Sequence, residues 1–164
     1  GLLGILFALF ERRVQRVLLS DAREPSSHAR VLACACQVGP WVEGKVSFER
    51  ARMDTIRACL VPGASIVSAH ACGTLTDQCL ELAAAVGGNV AVMPCCYPQG
   101  ACPAPLALQL ALGQELAHDV DRTYRLEHAG YHVRWTTIPA EITPMNRVLI
   151  GRRRVRPTTS GDAP

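Results

Sequence analysis

The chain repeats short apolar runs that stop on a polar or turn-forming residue, each followed by a helical or turn-rich stretch, and this alternation limits its folds more than any other feature. Residues 14–20 form one such run and stop at Asp21. Residues 64–69 (Ala-Ser-Ile-Val-Ser-Ala) follow the turn signal Pro62-Gly63 and stop at His70, and residues 89–93 stop at Pro94-Cys95-Cys96. A run apolar on both faces predicts a strand covered on both sides, so 64–69 is read as a central strand. Between the runs, residues 2–13 and 26–36 suit helices, 45–50 a short strand and 53–60 a further helix. Residues 74–86 carry Leu75, Cys79, Leu82 and Val86 at helical spacing, with Thr74 or Thr76 as cap and Gly87-Gly88 as stop. Residues 106–128 read as a long helix with a break near Gly113. Residues 131–138 and 146–152 read as two closing strands without a crossover helix, hence an antiparallel pair.

This order predicts an α/β chain with a Rossmann-like, doubly wound sheet, mostly parallel and ending in the antiparallel pair. With 164 residues, 49% of them apolar, one packed domain is expected over residues 1–152, followed by a basic, disordered tail over 153–164. The opening apolar run spans about ten residues before Glu11-Arg12-Arg13, short of the roughly twenty that a membrane span needs. It has no basic leader, so a cytoplasmic protein with no membrane partner is expected. The chain opens on Gly1 rather than Met, which reads as a piece of a longer protein.

Eight cysteines in an ordinary-sized domain read as reduced thiols rather than a disulfide framework. Cys59 and Cys79 fall on helical patterns as small core residues, and Cys34 and Cys36 on a helix face. The net charge of +3 owes most of its local excess to Arg147, Arg152, Arg153, Arg154 and Arg156, a stretch that admits RNA as a partner but more often stays solvated. Asp119, Asp121, Arg122 and Arg125 are expected to pair along a solvated helix face.

In a doubly wound sheet, ligands bind beyond the C-terminal ends of the strands. Asp21, His70 and Cys95 all map to that edge. The motifs there are Ser68-Ala69-His70-Ala71-Cys72-Gly73-Thr74-Leu75-Thr76-Asp77, then Val92-Met93-Pro94-Cys95-Cys96, then Ile142-Thr143-Pro144-Met145-Asn146-Arg147. Together they resemble the class I S-adenosylmethionine-dependent methyltransferase-like domains that have a His-x-Cys-Gly loop and a later Cys-Cys loop. The resemblance runs from about Leu2 to Gly151. It implies a seven-strand sheet whose first strand and glycine-rich cofactor loop precede Gly1, with Gly1 and Gly4 as the loop's last remnants.

Carried over residue by residue, the resemblance makes Asp21 the acceptor for the cofactor's ribose hydroxyls and sets Asp54 toward the adenine. His70 and Gly73 contact the methyl donor. His70, Cys72 and Asn146 stand as the catalytic candidates toward an unidentified methyl acceptor, protein or RNA. Three chemistries are open to the two loops: contact with cofactor or acceptor without metal, which is preferred; a zinc site of His70, Cys72, Cys95 and Cys96; and plain packing of the strand ends. Against zinc stands the expectation that consecutive Cys95 and Cys96 point in opposite directions.

Overall fold

The computed structural model describes residues 1–97, 100 and 102–154. The chain is mixed α/β and forms two compact units, Gly1–Cys59 and Leu60–Pro164. All thirteen residues outside the described set fall in the second unit, and most of the expected tail, 155–164 with Arg156, is among them.

In the first unit, helix α1 (Leu2–Phe10) is followed by strand β1 (Val17–Asp21), helix α2 (His28–Val38) and strand β2 (Val46–Arg50). The two strands run parallel, from Val17 opposite Val46 to Asp21 opposite Arg50. Ile5, Ala8, Leu19, Ala35 and Val42 form the core. Helix α1 stops three residues earlier than its apolar pattern suggests, because Glu11 turns extended and its carboxylate pairs with Arg13 at 3.1 Å. Gly1 and Gly4 belong to this packing. A Cβ on Gly4 would meet the Val17 side chain at 2.9 Å, and one on Gly1 would meet Leu19 at the same distance. Lacking side chains, they let α1 lie directly on β1.

The expected helix over 53–60 is instead a turn and a short 3-10 segment, Ile56–Cys59. Only Ile56 there is buried, too little apolar surface to hold a longer helix against a sheet. Cys59 is exposed rather than a core residue. Asp54 sits on the turn, exposed, with its carboxylate 4.0 Å from Arg52.

The second unit carries the motif loops. Strand β3 (Ile66–Ala69), helix α3 (Leu75–Val86) and strand β4 (Val90–Met93) make a parallel crossover, with Ile66 opposite Val90 and Ala69 opposite Met93. Helix α4 (Leu106–Leu112) and helix α5 (Gln114–His128) meet at Gly113, whose φ of 77° breaks the expected long helix where the sequence marks it. Strands β5 (Tyr131–Thr137) and β6 (Arg147–Arg153) close the unit as an antiparallel pair. The sheet order is β3-β4-β6-β5.

Two expectations about the sheet are corrected. The strands form a two-stranded and a four-stranded sheet rather than one. The four-stranded sheet is mostly antiparallel, because β6 inserts between β4 and β5 and runs against both, leaving β3·β4 as its one parallel pairing. Strand β3 is therefore an edge strand and not a central one. Apolar residues on both faces report burial, not ladder neighbours, and even that burial is incomplete, since Val67 is 49% exposed. Among the described residues no helix is long and apolar enough to cross a membrane.

Arg153, expected to open the tail, instead ends the last strand. Arg152 and Arg153 lie in β6, and the Arg153 side chain donates to the Ala129 carbonyl at 2.6 Å while its backbone N–H donates to the Asn89 side chain at 3.0 Å.

Candidate functional site

The loops after β3 and β4 continue the ladder beyond the strands. The His70 N–H donates to the Met93 carbonyl at 3.0 Å, and the Gly73 N–H to the Cys96 carbonyl at 3.3 Å. Between these bonds the first loop must reverse sharply. His70 takes a φ of 61°, the one non-glycine residue with positive φ among those described, and Gly73 takes the same value. A histidine in that region stores roughly 1–2 kcal/mol of strain, which the two cross-loop bonds must hold in place. The buried Thr76 hydroxyl helps by donating to the Ala71 carbonyl at 2.5 Å.

This geometry brings three thiols together. The Cys72 sulfur lies 3.1 Å from that of Cys95 and 3.3 Å from that of Cys96, and the last two are 3.6 Å apart. Strand β4 ends at Met93, so past the buried Pro94 the strand's strict alternation no longer holds and consecutive side chains need not diverge. The objection that Cys95 and Cys96 point apart therefore fails. His70 does not join the three sulfurs. All eight cysteines are free thiols, and Cys79, on α3, is the buried one.

The cluster divides its protons unevenly. Hydrogen bonding with Cys95 and then Cys96 holds the Cys72 thiol below its ordinary range. The reciprocal hydrogen bond to Cys72, followed by partial burial, pushes Cys95 up to about 12. A first negative charge settles on Cys72 with Cys95 as its donor. In reduced, chelator-treated protein at neutral pH, iodoacetamide is expected to modify Cys72 before Cys95, because the thiolate is the nucleophile. Peptide mapping after brief labelling checks this; equal modification of the two would contradict it.

The second loop is anchored at its far end by a network that the charge pattern alone would place on a solvated surface. Tyr97, next to Cys96, donates its hydroxyl to the Asp119 carboxylate at 2.7 Å, and Arg147 of β6 donates to the same oxygen at 2.9 Å. Arg122 donates to the other Asp119 oxygen at 3.2 Å and forks onto Asp77 of α3 at 2.8 and 3.2 Å. The Arg122 side chain is 0% exposed and that of Asp119 is 3% exposed. Arg125 pairs with Asp77 as well, and with Asp121 at 2.9 Å. Burial and then Asp119 push the Tyr97 phenol upward, so it remains a donor across the working pH range. Tyr97, Asp119, Arg122 and Arg147 thus fix where the Cys95-Cys96 loop ends. The available signal was that Asp119 and Arg122, spaced i and i+3, lie on the same side of α5 as the buried Leu126.

Two other sequence candidates make contacts of their own. Asn146 closes the mouth of the β5–β6 hairpin, its side-chain amide donating to the Ile138 carbonyl at 2.8 Å while the Ile138 N–H donates back at 3.1 Å. Asp21, in the first unit, ends β1 exposed and accepts the Arg23 N–H at 3.2 Å, a local turn bond that leaves its second oxygen open. No family model matches the chain, and no curated protein matches it.

Proposed function

We propose that the chain is part of an S-adenosylmethionine-dependent methyltransferase whose acceptor is a nucleophile on protein or RNA. One observation carries this reading. The His-x-Cys-Gly and Cys-Cys loops, whose resemblance suggested the activity, come together at the C-terminal ends of two parallel strands, with Cys72 and Cys95 in sulfur contact at 3.1 Å. Ligands of parallel α/β units bind at that end. The closing antiparallel pair, joined without a crossover helix, is the further feature that the resemblance implies.

Methyl transfer from a sulfonium donor is a direct displacement: the acceptor's lone pair forms the new bond to carbon as the sulfur leaves as a neutral thioether. Such a step needs alignment of donor and acceptor more than covalent chemistry. In this reading Asp21 accepts from the ribose hydroxyls and Asp54 faces the adenine. His70 and Gly73 shape the loop against the donor, and the imidazole takes the acceptor's proton. Asn146, held by Ile138, positions the acceptor rather than reacting. A non-catalytic binding module on the same fold is the second reading, favoured by the three converging thiols.

The test is binding of S-adenosylmethionine to the full-length gene product by titration calorimetry. Saturable binding is expected, weakened about tenfold or more by Asp21→Asn through the lost charge-assisted hydrogen bonds. Absence of binding at millimolar cofactor would overturn the enzyme reading, and binding without transfer to any protein or RNA fraction would favour the module.

A further inference from the structure

We infer that Cys72, Cys95 and Cys96 form a zinc site with three thiolate ligands and one open coordination position. The inference is independent of the methyl-transfer reading. It starts from exposure. Free cysteine is among the most buried residue types, and Cys79 shows that ordinary behaviour here. Cys72 and Cys96 are instead exposed and Cys95 half-buried, at the end of the sheet rather than in the core. Three thiols gathered there add nothing to packing that alanine or serine would not supply.

The distances fit a metal. The circle through sulfurs separated by 3.1, 3.3 and 3.6 Å has a radius of about 1.9 Å. An ion at the usual zinc–thiolate distance of about 2.3 Å from each stands about 1.2 Å out of their plane, with no sulfur displaced. An ideal tetrahedral site spaces its sulfurs about 3.8 Å apart, so binding would open the sides of this triangle by roughly 0.2 to 0.7 Å. That is within side-chain adjustment.

The ligands are also pre-positioned. The Gly73 N–H donates to the carbonyl of Cys96, fixing one loop to the other across the site, and Tyr97 is bonded to Asp119 directly beyond Cys96. A metal ligand set held by such outer bonds loses little conformational freedom on binding. Three thiolates select a soft or borderline ion, and zinc is the commonest of these in such sulfur sites. With three protein ligands the fourth position falls to water or to an exogenous ligand, the pattern of reactive rather than purely structural zinc. His70 lies outside the sulfur cluster and is not a ligand in this assignment.

The full chain is purified reduced and without a metal-binding tag, loaded with zinc, dialysed and analysed by mass spectrometry for metals. About one zinc per chain is expected. Serine in place of Cys72, Cys95 or Cys96 should weaken zinc binding about a hundredfold or more, whereas Cys34→Ser and His70→Ala should keep the wild-type stoichiometry. If a cysteine variant fails to fold, cobalt(II) replaces zinc in the wild-type chain. Sulfur-to-cobalt charge-transfer bands together with intense tetrahedral visible bands support the site, and weak octahedral bands without charge transfer overturn it. Wild-type protein that dialyses free of zinc, or cysteine variants that retain it fully, also overturns the assignment. Loss of zinc in His70→Ala would refute the open position. None of these readouts depends on cofactor binding or transfer, so the site and the enzymatic reading fail separately.

Discussion

Replacing Arg122 with alanine is expected to lower the unfolding free energy by about 3–5 kcal/mol, because it removes one side of a buried ion pair and strands the other. The Arg122 side chain is 0% exposed and supplies three hydrogen bonds, two to Asp77 and one to Asp119. Without it, Asp119 stays buried at 3% exposure with Tyr97 and Arg147 crowding its other oxygen. A loss of that size is a large fraction of the roughly 5–15 kcal/mol that holds a domain together. Arg125→Ala provides the comparison: that side chain is 42% exposed and shares Asp77, so its removal should cost about 1 kcal/mol or less. Urea denaturation of both variants checks the contrast, and equal midpoints would show that burial of Arg122 has no energetic consequence.

Acid should expose the same network. Burial alone would raise the Asp77 carboxyl, but the hydrogen bond and charge of Arg122, followed by those of Arg125, override it and hold the folded value below the ordinary one. A depressed folded pKa means that the stabilisation is fully present above the unfolded value of about 3.9 and is lost as pH falls through the folded value. The acid limb of the stability curve should therefore flatten in Asp77→Asn, even though that variant is less stable at neutral pH.

The sequence made most elements legible because each carried two agreeing signals. Helix α3 had both its apolar spacing and Gly87-Gly88, and the break between α4 and α5 stood on Gly113 alone among good helix formers. The two loops of the site were legible for a related reason: a histidine and paired cysteines that each stop an apolar run stand out against it. What stayed hidden depends on partners far away in the chain. Nothing local in 64–69 distinguishes an edge strand from a central one, since the ladder neighbour is chosen by β4 and by the insertion of β6. In α5 only the helical spacing of Asp119 and Arg122 with Leu126 hints that they face inward, because the compensating charges come from Asp77, Arg147 and the Tyr97 hydroxyl, up to 45 residues away for the Asp77 pair. Charge on a helix reads as surface until its counter-charges are located.

Gly88→Ala is the other substitution expected to be severe, and it separates two glycines that look equivalent as a helix stop. Gly87 holds a φ of 73° in open space, so Gly87→Ala meets left-handed backbone strain of about 1–2 kcal/mol and no neighbour. Gly88 has no such conformational demand, but a Cβ there would run into the Ala64 carbonyl and stand 3.1 Å from the Gly63 carbonyl carbon. Both obstacles are backbone just before β3, and neither can yield by changing rotamer. That backbone is fixed by the Gly63 N–H donating to Val86 at 2.7 Å and the Ile66 N–H donating to Asn89 at 2.8 Å, while the Gly88 carbonyl accepts the buried Tyr131 hydroxyl at 2.7 Å. Relief of the clash must break at least one of these, so a loss of about 3 kcal/mol or more is expected, larger than for Gly87→Ala. The strand that would shift is the one ending at His70, so the variant should also bind zinc more weakly although it leaves every cysteine in place. Denaturation midpoints and zinc stoichiometry measured on the two glycine variants decide the matter: a Gly88→Ala chain as stable as Gly87→Ala would mean that β3 does not pass where the thiol loops require it.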